Sequence, residues 1–66
     1  MITDTYGTYL VTYRVKSGLH QQESGPYSVQ LQCDGSQASV EILTLEHAQL
    51  MHELPVSILV VSITKE

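Results

Sequence analysis

The chain has 66 residues, of which 42% are hydrophobic and 15% charged, and its formal net charge is −4. A chain this short has material for one small domain, residues 1–66, and its hydrophobic fraction is too high for a disordered tail. Its three cations, Arg14, Lys16 and Lys65, cannot neutralise the several phosphates that even non-specific nucleic-acid binding involves. The composition therefore argues against nucleic acid as a partner.

The number of cysteines and the length of the apolar runs indicate where in the cell the protein is located. The single cysteine, Cys33, excludes an internal disulfide, and residues 1–4 lack the basic start of a secretory signal. The longest apolar-rich run, 54–61, is much shorter than the ~20 residues of a spanning helix. We therefore expect a cytoplasmic protein without a membrane segment.

Strict alternation predicts two one-sided strands in the first half of the chain. The first covers 8–16 and places on one face Tyr9, Val11, Tyr13 and Val15. The second covers 27–33 and places on one face Tyr27, Val29, Leu31 and Cys33. The first is rich in the β-branched and aromatic residues that strands favour.

The dipeptide Asp34-Gly35 follows the second strand and is typical of a two-residue hairpin turn. With that turn, apolar residues of 27–33 lie opposite apolar residues of 37–43, and polar residues lie opposite polar ones. The sequence therefore predicts a hairpin of 27–33 with 37–43.

A helix and a last strand complete the predicted elements. Thr44 is a suitable N-cap, and Pro55 predicts that the helix ends at Leu54. The expected apolar arc of this helix contains Leu45, Ala48, Leu50, Met51 and Leu54. The segment 56–64 is apolar on both faces, as in a strand with neighbours on both sides.

The predicted architecture is α+β, a single, mainly antiparallel four-stranded sheet with one helix on one face, in the order β-β-β-α-β. The last strand lies either in the centre of the sheet or at an edge beside the first strand. The edge placement exposes a long apolar strand and so predicts a homodimer. The expected dimer interface contains Ile58, Leu59 and Val61.

The connection 17–26 is long for a hairpin loop, a feature typical of functional loops. Its polar residues surround one leucine, so we expect it to bind a partner through Leu19, His20, Gln22 and Glu23. Alternatively, 19–23 extends both hairpin arms with a kink at Gly25-Pro26, or the segment is a solvated connector.

Catalytic, metal and cofactor chemistry find no support in the residue pattern. His47 and His52 are five positions apart, about 140° around a helix, and so cannot chelate one ion from one helix. Cys33 lies on an apolar strand face beside Asp34, whose charge disfavours a reactive thiolate. We expect neither an enzyme, a metal site nor a cofactor.

The function favoured by these exclusions is the binding of another protein, as an adaptor, regulator or inhibitor. Small acidic proteins of this kind are typical of the accessory proteins of viruses and mobile elements. Two alternatives are a purely structural, self-assembling role and a single-stranded nucleic-acid-binding sheet that stacks bases on Tyr9, Tyr13 and Tyr27.

Overall fold

The computed structural model describes residues 6–66, so the segment 1–4 considered above for a secretory signal lies outside its range. Its elements in chain order are β1 (Gly7–Ser17), β2 (Gln22–Cys33), α1 (Gln37–Met51) and β3 (Val56–Lys65). The strands form one antiparallel sheet in the order β2-β1-β3, and α1 packs on one of its faces.

The predicted four-stranded sheet is wrong, because the described part of the chain has three strands in the element order β-β-α-β. The segment 37–43 is the first half of α1, so the predicted hairpin of 27–33 with 37–43 does not form. Buried Val40 is followed at four-residue intervals by buried Thr44 and Ala48. This helical spacing overrides the period-two pattern of 37–43, since it places three small or medium side chains against the sheet.

The dipeptide Asp34-Gly35 precedes the helix instead of closing a hairpin. Ser36 is the N-cap, and its hydroxyl accepts a hydrogen bond from Ser39 N at 3.2 Å. Asp34 Oδ1 accepts a hydrogen bond from Ser36 N at 2.9 Å, and the Ser36 hydrogen bonds lower the pKa of Asp34. Gly35 has a φ of +79°, and the Tyr9 ring fills the space where a Cβ would lie. Glycine is required here by both the backbone angle and the contact.

Strands β1 and β2 form one long hairpin that closes in a turn at 18–21. Lys16 pairs with Glu23 and Ser17 with Gln22, so the predicted ten-residue loop is wrong and the hairpin arms extend into it. Gly25-Pro26 forms a bulge opposite Arg14, where the register shifts. Of the alternative in which 19–23 extend both arms, the irregularity at Gly25-Pro26 and the extension by 22–23 are present, whereas 19–21 lie in the turn.

Strand β3 lies at an edge of the sheet, antiparallel to β1, which decides between the two placements left open by the sequence. Its register runs from the Ser17–Val56 pair to the Tyr9–Lys65 pair. One extra residue, Val61, forms a bulge in β3 between two successive pairs.

The core lies between α1 and one face of the sheet. Its buried apolar residues are Tyr9, Val11, Tyr13, Val15, Cys33, Val40 and Ala48. The opposite face, which we call the open face, has no helix over it within residues 6–66. It carries Arg14 and Lys16 from β1, Gln30 from β2, and Ser57 and Leu59 from β3.

Helix α1 differs from the predicted helix at both ends. The predicted N-cap, Thr44, is buried in the middle of α1, and the helix ends at Met51 with His52 as its C-cap. Leu50, Met51 and Leu54, which the apolar arc assigned to the core, are instead exposed. No helix among the described residues is long and apolar enough to cross a membrane.

Candidate protein-interaction surfaces

Hydrogen bonds hold the turn of the β1–β2 hairpin in place. The Gly18 N–H donates to Glu53 O at 2.9 Å and to Pro55 O at 3.0 Å, which ties the turn to the connection between α1 and β3. Gln21 donates to Gly18 O from its backbone N and from its side-chain Nε2, both at 3.1 Å. Gly18 and Gln21 both have positive φ, so the chain reverses direction tightly here. The turn is therefore closed by hydrogen bonds from Gln21 to Gly18 and held against the α1–β3 connection.

Large apolar side chains are exposed at this end of the molecule. Leu19 in the turn is 85% exposed, and Leu54, which lies between the two residues that accept from Gly18, is 60% exposed. Leu50 in the last turn of α1 is 85% exposed. Large apolar side chains left exposed at one end of a small domain are candidates for contact with another protein. We call the region formed by Leu19, His20, Gln22, Glu53 and Leu54 the turn end.

The structure brings together three of the four residues that the sequence predicted to bind a partner. Leu19, His20 and Gln22 line one cleft of about 180 Å³ together with Glu53. Glu23 lies on the open face, where its Oε1 is 3.4 Å from Arg14 Nη2 in an exposed ion pair. Glu53 and Leu54 were missed, because the sequence placed them inside a helix that ends earlier.

The outer edge of β3, to which no strand pairs among residues 6–66, is a second candidate surface. Of the predicted dimer residues, Ile58 is half-buried and packs against the core, while Leu59 and Val61 are exposed. A groove of about 500 Å³ lies between α1 and the first half of β3. Its walls are the helix residues Gln37, Glu41, Ile42 and Leu45 and the strand segment 56–60. We call this region the β3 groove.

The tyrosines predicted as a stacking platform belong mainly to the core. Tyr9 and Tyr13 are buried beneath α1, so neither ring can stack on a base. Tyr27 remains partly exposed, and its ring centroid lies 5.8 Å from that of Tyr13 and 5.0 Å from that of His52. Burial, and to a smaller extent the neighbouring Tyr27, raises the pKa of Tyr13 above its ordinary value. This geometry is that of a packed aromatic cluster.

The residues considered for metal binding and catalysis do not converge in residues 6–66. No group of three or more His, Cys, Asp or Glu side chains in this range is placed to hold a metal ion. Cys33 is buried and has no disulfide partner. His52 contacts Tyr27 at the end of α1.

Comparison of the chain with protein-family models, with curated protein sequences and with solved structures gives no significant match.

Proposed function

We propose that this chain is a small protein-binding module, an adaptor, regulator or inhibitor, and that the turn end contacts its partner. The observation that supports this proposal most strongly is the exposure of Leu19 on a turn fixed by hydrogen bonds. A large apolar side chain in this position has no counterpart within the described fold to pack against. Burial against another protein would remove its apolar surface from water.

The fixed backbone of the turn favours binding. Two acceptors beyond α1 hold the Gly18 N–H, and Gln21 closes the turn onto Gly18 O. A partner that buries Leu19 therefore orders little backbone, and less conformational entropy is lost on association than with a flexible loop.

The polar residues of the turn end supply directional contacts. His20, Gln22 and Glu53 line the cleft beside Leu19. An apolar residue bordered by hydrogen-bonding groups matches the general anatomy of protein interfaces, which have an apolar centre and a polar rim. The partner surface that fits this arrangement has an apolar pocket for Leu19 and hydrogen-bonding groups around it.

The proposal places the protein in the cytoplasm and includes no catalytic step. A cytoplasmic location is consistent with the unpaired thiol of Cys33, since thiols are kept reduced in that compartment. The stacking alternative is set aside because Tyr9 and Tyr13 lie in the core.

A site-specific photo-crosslinking experiment tests this function. A photoreactive amino acid replaces Leu19 in one variant and Gln32, an exposed residue at the other end of the hairpin, in the control. Both variants are expressed in the native host and irradiated, and crosslinked proteins are identified by mass spectrometry. We expect one protein to crosslink specifically from position 19.

Substitutions give the quantitative comparison. Leu19→Glu should weaken capture of the crosslinked partner by ~10-fold or more, because it places a charge in an apolar pocket. Gln32→Glu adds the same charge far from the turn and should leave capture unchanged. Equal capture by both variants, with circular dichroism showing both folded, would remove the turn end from the proposal.

A further inference from the structure

The edge of β3 that faces away from β1 has no strand paired to it within residues 6–66. The segment 56–64 contains neither a charged residue nor a proline. Pro55 directly precedes it and Lys65 directly follows it. Natural edge strands usually carry charges, prolines or bulges that prevent pairing with another chain. Here the bulge at Val61 interrupts the second half, so 56–60 is the regular and unprotected part.

The same five residues form one wall of the β3 groove. On the opposite wall, Ile42 is exposed and Leu45 is half-buried. A strand added to this edge would therefore gain backbone hydrogen bonds from β3 and apolar contacts from α1. Both contributions are those used in recognition by strand addition.

We propose that the occupant of this edge is a second copy of this chain, whose β3 pairs antiparallel with β3 across a two-fold axis through Ile58. The two three-stranded sheets then form one continuous six-stranded sheet, with both helices on the same face. The arrangement is isologous, as in most homodimers, so each copy uses the same surface.

Self-complementarity of the segment 56–60 favours a second copy over another peptide. In this register Ile58 lies opposite Ile58 of the partner subunit, and Val56 lies opposite Val60 of the partner subunit. These residues are on the helix side, where apolar pairs are stabilising. On the open face, Leu59 lies beside Ser57 of the partner subunit, so a large side chain meets a small one twice by symmetry.

The charge distribution is compatible with this pairing although each copy carries a net −4. The carboxylate on the helix wall of the groove belongs to Glu41. This carboxylate has a partner within its own helix, since Gln37 Nε2 donates a hydrogen bond to Glu41 Oε2 at 3.1 Å. On the open face, the residues of β1 next to Leu59 and Ser57 are the cations Arg14 and Lys16.

The mass of the full chain in solution is the first measurement. Sedimentation equilibrium should give a value close to twice the 7.3 kDa of one chain at high concentration. A monomer at the highest soluble concentration would overturn the proposal.

Two lysine variants test the surface. Ile58→Lys places two cations opposite each other at the axis and should weaken the dimer by ~100-fold or more. Because Ile58 also packs on the core, Leu59→Lys provides a second variant at a residue that is 63% exposed. Across the joined sheets, the new lysine would lie on the open face between Arg14 of its own chain and Lys16 of the partner subunit. The repulsion among these like charges should weaken the dimer by ~10-fold.

Leu50→Lys is the matched control, since it makes the same change on the exposed surface of α1 outside the β3 groove. It should retain the dissociation constant of the unmodified chain, as should Leu19→Glu. A dimer unaffected by both Ile58→Lys and Leu59→Lys would overturn the proposal.

Cysteine crosslinking tests the register. In a Cys33→Ala background, Ile58→Cys should form an intermolecular disulfide, because directly opposed residues of antiparallel strands have Cα atoms ~4.5 to 5.5 Å apart. Ser62→Cys in the same background serves as the control, since this register places it beyond the segment 56–60. Crosslinking from position 62 in preference to position 58 would contradict the two-fold axis through Ile58.

Discussion

The ring of Tyr9 occupies the space in which a side chain on Gly35 would lie, so the start of α1 sits directly on the central strand. Gly35 also has a φ of +79°, which L-residues with a Cβ rarely adopt. Two independent constraints therefore act at the connection between β2 and α1.

Gly35→Ala should lower the free energy of unfolding by ~2 kcal/mol or more, because it combines an unfavourable backbone angle with an overlap against Tyr9. Chemical denaturation monitored by circular dichroism measures the change. Gly7→Ala is the control: its Cβ would lie 3.2 Å from Cε of the flexible Lys65 side chain. We expect its effect to stay within ~0.5 kcal/mol. Equal effects of the two variants would contradict the close packing of Gly35 on Tyr9.

Asp34 should make the stability of the fold depend on pH in the acid range. Its hydrogen bonds from Ser36 lower its pKa below the ordinary value of 3.8. Because the pKa of Asp34 is lower in the folded state, the ionised carboxylate stabilises the fold above pH 3.8. This stabilisation is lost as the pH falls through the lower pKa of the folded state. The test compares the unfolding free energy of the unmodified chain and Asp34→Asn from neutral pH downward.

The difference between these two proteins should shrink as the pH falls below 3.8, because the asparagine side chain of the variant keeps an acceptor oxygen and does not titrate. A difference that stays constant through this range would show that the Asp34 carboxylate contributes nothing through its charge.

Thr44 offers a stabilising substitution. Its Oγ1 is buried and has no hydrogen-bond partner among the described residues. A buried hydroxyl in this state loses its hydrogen bonds to water without compensation, so Thr44→Val should raise the free energy of unfolding by ~1 kcal/mol. Thr44→Ser keeps the hydroxyl and removes a methyl group, and should lower stability by about 1 kcal/mol. If both variants were destabilised equally, the hydroxyl would have a partner in solution.

The strands that the sequence predicted correctly are those with unambiguous alternation. β1 and β2 present one apolar face each, and β3 begins directly after Pro55. The edge position of β3 was one of two alternatives, because apolar residues on both faces of a strand do not distinguish a central strand from an edge that is uncovered in one chain.

The helix was predicted too late because local signals conflicted. Asp34-Gly35 suits a hairpin turn, but it also suits the turn before an N-cap, and Ser36 supplies that cap. The decisive signal was the four-residue spacing of Val40, Thr44 and Ala48, which extends further along the chain than the alternation of 37–43.

The turn end was predicted only in part, because the predicted helix extended to Leu54. Leu19 and its polar neighbours follow from the composition of 17–26. Leu54 could not be assigned to this surface without knowing that α1 ends at Met51 and that Glu53 and Pro55 accept from Gly18.

The strand order β2-β1-β3 has a consequence for how the chain assembles itself. β1 and β2 are joined by a short turn and can pair early, whereas β3 reaches β1 only after α1 has crossed the sheet. Until then, the backbone hydrogen-bonding groups along one side of β1 can pair with another strand. The β3 of a second molecule has the same sequence and can pair there as well as the chain's own β3. Refolding at low protein concentration therefore favours pairing of β3 with β1 of the same chain, whereas refolding at high protein concentration favours exchange of β3 between chains.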